Sequence, residues 1–330
     1  MTQLLEQRRA DAAARLDMLR TKLSDAESLL GGNACLYVTG SFGRGEASPS
    51  SDLDVFLVGL SSTDDPPRRL FSHLSEIRIF ARLIDAAEEA KFPDFSNDGE
   101  YLRHHSVHHL IKSLGRPDDD YANALTARLL LLLESKPLLG KTVWEHAIRE
   151  VIAEYWRDFK GNETNFRPSF LANDILRLWR TFCVNYEART STVPDAKRFK
   201  RRAKNYKLKH SRLLTCYSAL LHLMAQHSEK GTVTPDDAFA MVGMTPTERI
   251  ENLLSRDAHQ KAHSALRELL DQYEAFLAES SIPEQELVER LKDADAKKRL
   301  FALADKFGVA VFNAIDQLGQ RSAFHRLIAV

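Results

Sequence analysis

Two aspartates two residues apart, Asp52 and Asp54 in S-D-L-D-V, carry the first chemical signal of the chain. On a strand the side-chain period is two, so both carboxylates share one face while Leu53 and Val55 point the other way, into a core. Two carboxylates that close repel each other and suit a hard divalent cation such as magnesium. Just upstream runs G-S-F-G-R-G-E, residues 40–46. Glycines at 40, 43 and 45 let backbone approach an anion closely, and Ser41 with nearby N–H groups can donate to phosphate oxygens. The combination makes a place for a nucleoside triphosphate with two metal ions, which would activate an attacking oxygen and stabilise a leaving pyrophosphate.

Such residues need elements to hold them. The apolar run 34–38 reads as a short buried strand and 54–58 as a second, with a turn-rich loop between them. Residues 2–30 read as an amphipathic helix stopped by Gly31-Gly32-Asn33, with a packing role only. After the loop at 61–69 a helix is expected over 74–91, then a turn-rich segment, 92–102, that holds Asp94, Asp98 and Glu100. Residues 121–136 are strongly apolar and helical.

The stretch 34–58 resembles the signature of the DNA polymerase beta-like nucleotidyltransferase superfamily: a strand, Gly-Ser, a gap of about ten residues, then Asp-x-Asp on the next strand. Within it, G-S-F-G-R-G-E…S-D-L-D-V is most similar to the nucleotidyltransferase domain of protein-PII uridylyltransferases and their short relatives. T-A-R-L-L-L-L-L-E-S-K-P-L-L-G, residues 126–140, resembles the end of that domain, where it is a structural helix. The resemblance implies nucleotide contacts at Gly40 and Ser41 and metal ligation by Asp52 and Asp54. It also implies a third carboxylate on a later strand, for which Asp98 is the first choice and Glu100 the second. A helix N-cap by Ser96 or Asp98 is the competing reading of that segment. Arg44 either adds charge at the phosphates or pairs with Glu46 to shape the loop. A D-x-D alone would favour a glycine-rich hairpin with surface aspartates.

Two further clusters have plainer readings. His104, His105, His108 and His109 would form i,i+4 pairs on a helix, a zinc spacing, but no Cys or acid completes a site and a partly exposed helix face is preferred. Asp118-Asp119-Asp120 reads as a solvated helix N-terminus rather than a metal site.

From 143 onward the pattern is helical, and no strand alternation is evident after about residue 110. The expected architecture is therefore α+β: a small mixed-sheet domain over 1–140, then an all-helical domain over 141–330. In the helical part, Asn173, Asp174, Arg177, Arg180 and Glu187 interrupt an apolar helix, either as ion-paired interior groups or as a cleft lining. Residues 197–212 hold nine Lys or Arg and no acid, in a chain whose 46 basic and 46 acidic residues otherwise cancel. By the resemblance, Lys207, Lys209 and Ser211 are candidates to reach the triphosphate. Lys197 to Arg202 is better placed to meet an acidic partner or RNA phosphates.

Composition is that of a soluble globular protein, 44% apolar and 28% charged. No apolar run nears the ~20 residues of a membrane span. Cys35, Cys183 and Cys216 lie far apart and read as reduced thiols, so a cytoplasmic protein is expected. The expected activity is magnesium-dependent transfer of a nucleoside monophosphate to a hydroxyl on a protein, nucleotide or RNA, with manganese as a substitute metal. No metal-hydrolase H-D motif follows in the second half, so removal of the modification by the same chain is not expected. The alternative is a non-catalytic nucleotide-binding or protein-interaction module that retains the fold.

Overall fold

The computed structural model describes residues 3–100, 102–190, 195–320 and 322–329. They divide into two compact units, one spanning residues 5–157 and the other formed by residues 158–330 with the first four. Among the described residues, no helix is long and apolar enough to cross a membrane.

In the first unit a four-stranded mixed sheet has the order β3-β2-β1-β4. Its strands are β1 (Ala34–Val38), β2 (Val55–Gly59), β3 (His104–Ser106) and β4 (Lys136–Leu139). β1 pairs antiparallel with β2, from Ala34 opposite Gly59 to Val38 opposite Val55. β4 flanks β1 antiparallel, and β3 flanks β2 in parallel. Leu36, Val38, Val55 and Leu57 bury one face of the sheet with Leu16 and Leu19 from the helix Gln3–Lys22, Leu23 just after it, and Ile79 and Leu83 from the helix His73–Glu89. Each leucine-sized side chain taken out of water in this way stabilises by roughly 1.5–3 kcal/mol. The helix Lys141–Tyr155 packs on β1, so it lies in the first unit although the sequence pattern grouped it with the helical part.

β4 departs from the expectation that no strand follows residue 110. K-P-L-L is too short to show alternation and contains Pro137, which lacks a ladder N–H. An edge strand tolerates that residue, and β4 is at the edge. The histidines also depart from the helical expectation: His104 and His105 lie on β3, while His108 and His109 lie on the helix Val107–Lys112, so the i,i+4 spacing is never realised.

The acidic run 118–120 is likewise not a solvated helix end throughout. Asp119 is fully buried and forms a two-pronged ion pair with Arg128, with Nη1 to Oδ1 at 2.8 Å and Nη2 to Oδ2 at 2.9 Å. Arg128 also donates to Tyr155 Oη and to the carbonyl of Leu110. An arginine inside the apolar helix Ala124–Glu134 must find such partners, because an uncompensated buried charge is very costly.

Among its described residues, the second unit is built of helices joined by turns and loops, with no strand. The helices Pro235–Val242 and Pro246–Leu254 both start with a capping box, from Thr234 with Asp237 and Thr245 with Glu248, and with proline at the first turn. A π-helical turn, Leu208–Arg212, joins the helix Asp195–Lys207 to Leu213–Lys230. There His210 is buried, stacked between Phe276 at 4.3 Å and Phe307 at 5.0 Å. Burial pushes its pKa down to about 4, so it is neutral at pH 7.

Candidate active site

The loop from β1 to β2 places both aspartates. The alternation of β2 continues backwards through the loop: Leu53, Val55 and Leu57 are buried, while Asp52, Asp54 and Phe56 are partly exposed. Asp52 and Asp54 therefore share a face. The N–H of Thr39 donates to the carbonyl of Asp54 at 2.9 Å, which carries the β1–β2 pairing one step beyond the strands.

Gly40 then turns the chain into a short helix, Gly40–Gly43. Its φ is +63°, and a Cβ built on it would fall 2.1 Å from Asp54 Oδ2. Glycine is thus required twice over, for the left-handed backbone and for the close approach of the Asp54 carboxylate. Gly43 meets another limit: a Cβ there would lie 1.8 Å from the carbonyl oxygen of Glu134. The turn rests directly on the end of the helix Ala124–Glu134.

Glu134 clamps this turn. Its carboxylate accepts from the N–H of Gly40 at 3.0 Å and pairs with Arg44 Nη1 at 3.0 Å. Arg44 Nε binds Glu46 as well, and all three side chains are buried. Of the two roles open to Arg44 in the sequence, the geometry is that of the loop-shaping ion pair. Glu134 was missed by sequence reasoning, but a signal existed. It is the only acid in an apolar helix and sits at its C-terminal end, where the helix dipole disfavours a negative charge. A group so placed needs a specific partner.

The N-terminal helix also does more than pack. Arg8 donates to the carbonyl of Ala47 at 3.3 Å and Arg15 to that of Ser48 at 2.9 Å, fastening the loop from the other side. The Arg15 guanidinium lies over the rings of Phe42 and Phe92, at 4.9 and 4.5 Å. Ser41, partly exposed, offers its carbonyl to the N–H of Glu46 at 2.8 Å. The glycines and Ser41 are thus held in a rigid turn beside the aspartates.

Asp98 lies in a single 3₁₀ turn, Ser96–Gly99, with φ +54° and an exposed side chain; Glu100 is exposed too. Neither the strand nor the helix expected to start there does so, since β3 begins only at His104. β3 itself carries His104, His105 and Ser106 and no carboxylate. Among the described residues, no group of three or more His, Cys, Asp or Glu is placed to hold a metal ion, so neither Asp98 nor Glu100 is gathered with the pair. The His105 ring lies tilted against Phe56, their centres 5.6 Å apart, and burial lowers its pKa to about 4. The strand beside the aspartates therefore presents a neutral ring.

The candidates of the helical unit have these places. Lys207 is partly exposed at the end of its helix. Lys209 lies 3.7 Å from Asp305, and the buried Ser211 Oγ accepts from Tyr273 Oη at 3.3 Å. Asp174 is buried and pairs with Arg177 at 3.5 Å, the interior ion-pair reading of that helix. The side chain of Lys197 lies outside those described.

A short helical turn opened by Gly-Ser thus follows one strand, and two aspartates share a face at the start of the next. Residues 16–108 match the family model of the nucleotidyltransferase domain, of the polymerase beta-like superfamily. No curated protein and no solved structure matches the chain. The part of the first unit over residues 16–108 is thus similar to a nucleotidyltransferase domain, on a four-stranded mixed sheet, and the described elements of the second unit are helices.

Proposed function

We propose that the chain transfers a nucleoside monophosphate from an NTP to a hydroxyl acceptor and releases pyrophosphate. The observation that carries this reading is the Asp54 carboxylate seated against Gly40, with Asp52 on the same face and the Gly-Ser turn alongside. Two acidic oxygens donors of this kind fit a hard divalent cation such as magnesium. Such a cation supplies charge neutralisation on the triphosphate and activation of the attacking hydroxyl. In this reading Asp52 and Asp54 hold the metal, while the Ser41 hydroxyl orients the phosphates. Glu134 and Arg44 act as positioning residues that keep the turn in place. The similarity of residues 40–55 to protein-PII uridylyltransferases supports a protein hydroxyl as acceptor; nucleotide and RNA hydroxyls satisfy the same chemistry.

The missing carboxylate on β3 favours a second reading, a nucleotide-binding module without catalysis. One experiment separates them. The purified protein is incubated with each α-labelled NTP and magnesium, with and without cell extract, beside the Asp52→Asn/Asp54→Asn variant. Label on a small molecule, protein or RNA that the variant fails to produce supports transfer and identifies the acceptor class. Binding of NTP with no variant-sensitive label under any condition supports the second reading.

A further inference from the structure

Within the helical unit, a concavity of about 400 Å³ lies between the helix Asp195–Lys207 and the start of the helix Ala294–Gly319. Phe199 and Arg202 line it from the first helix, Lys297, Lys298 and Phe301 from the second, and Lys292 from the turn before it. No acidic residue is part of the lining. The Arg202 guanidinium lies over the Phe199 ring, 5.1 Å from its centre. Lys209 Nζ stands 5.7 Å from the centre of the Phe301 ring and shares its charge with Asp305. Lys292 is paired with Glu289 at 2.6 Å. Lys297 and Lys298 make no ion pair with any described residue.

The basic run 197–212 supplies only half of this surface. The other half comes from residues 292–301, and folding brings the two together. Gathering like charges around a half-apolar hollow costs stability through repulsion, which a bound anion relieves. The two phenylalanines narrow the choice of anion. An inorganic anion would use the cations alone, and an acidic aliphatic peptide would leave the rings without a planar partner. A nucleotide uses both, its base against a ring and its phosphate among the cations. The volume is at the lower end of ligand pockets, suited to one small ligand.

We propose that this concavity binds one phosphate-bearing nucleotide unit, with its base against Phe199 or Phe301 and its phosphate among Arg202, Lys297 and Lys298. The unit is either a free nucleotide or one residue of a single-stranded nucleic acid. The site goes beyond the transfer reading and does not depend on it.

The test uses the full chain carrying Asp52→Asn/Asp54→Asn, in EDTA, so that failure of the transfer reading leaves the result untouched. Fluorescence anisotropy follows a labelled single-stranded RNA of about 12 nucleotides and a labelled ATP, from about 50 to about 300 mM salt. Adding Arg202→Glu/Lys298→Glu should weaken binding of one probe at least about tenfold and flatten the logarithmic salt dependence by roughly 1.4 for two lost strand contacts. Loss for RNA alone assigns a strand, and loss for ATP assigns the free nucleotide. Circular dichroism checks the fold, and Lys297→Gln/Lys298→Gln replaces the charge reversals if they prevent folding. Of Phe199→Ala and Phe301→Ala, at least one should weaken the same probe about fivefold or more. No binding by the parent, or equal binding by parent and charge variants, overturns the proposal. Unchanged binding by both Phe199→Ala and Phe301→Ala with loss in the charge variants overturns the nucleotide in favour of a ring-free polyanion.

Discussion

Two acidic motifs of the first unit, D-L-D at 52–54 and D-D-D at 118–120, look alike in sequence and end in opposite environments. Asp119 is fully buried, gripped on both oxygens by Arg128, and surrounded by hydrogen-bond partners that complete the guanidinium's valences. Asp52 and Asp54 stay partly exposed, and Asp54 is pressed against a glycine that cannot grow a side chain without displacing it. A carboxylate enclosed with its counter-charge holds the fold. Carboxylates that share a face and stay partly exposed fit the proposed role in holding a cation.

Substitutions can break that contrast. The largest effect expected is on turnover: Asp54→Asn should lower nucleotidyl transfer by about 10⁴-fold, near 5 kcal/mol of transition-state stabilisation. The melting temperature should hold or rise as a like-charge repulsion disappears. A folded variant with full activity in the labelled-NTP assay would sink the site assignment. Arg128→Met should do the reverse, costing about 3–5 kcal/mol of stability by stranding the buried Asp119. The fraction that stays folded should keep its activity. Urea titration measures the first quantity, and a loss below about 1 kcal/mol would mean that the pair is not the structural lock described.

Gly40→Ala falls between these extremes. It should cost about 1–2 kcal/mol for the left-handed backbone and lower activity about a hundredfold by pushing the Asp54 carboxylate away. Activity matching the parent would detach the Gly40–Asp54 contact from the chemistry.

The smallest effect concerns acid. His210 has a folded pKa of about 4 against about 6.5 unfolded, so the unfolded chain binds more protons between these values. Its contribution therefore weakens as pH falls from about 6.5 towards 4, by about 3 kcal/mol at most, and does not worsen below. His210→Phe, which keeps a ring between Phe276 and Phe307, should flatten the fall of melting temperature over that window. An unchanged slope would assign acid sensitivity to other groups, among them His222, which burial and nearby arginines lower to about 3.

The parts of the fold written in local pattern were readable from the sequence. β1 and β2 announce themselves by apolar runs and period-two alternation, and glycines with aspartates punctuate the loop between them. The long helices of the second unit show their period over many residues. What escaped was set by tertiary contact. β4 has four residues and a proline, too little for any pattern. Glu134 reaches Gly40 across 94 positions, and Arg44 chooses between solvent phosphate and buried acid only once Glu134 is beside it. Asp98 was the first choice for a third ligand, yet its segment forms a 3₁₀ turn and the strand starts six residues later. The single Arg and single Glu inside 124–134 were the warning that this apolar helix had distant partners.

The pairing of β1 with β4 also has a consequence for the order of events during synthesis. β1 is complete by residue 38, but its second edge is covered only when residues 136–139 arrive. Until then a nascent chain carries an open, wholly apolar strand edge, and the turn at Gly40 lacks its Glu134 anchor. A ribosome that stalls, or a protease that cuts, before Lys136 would release a fragment prone to pair with its own copies. The strand edge and the turn beside the aspartates are thus completed late, by the same few residues.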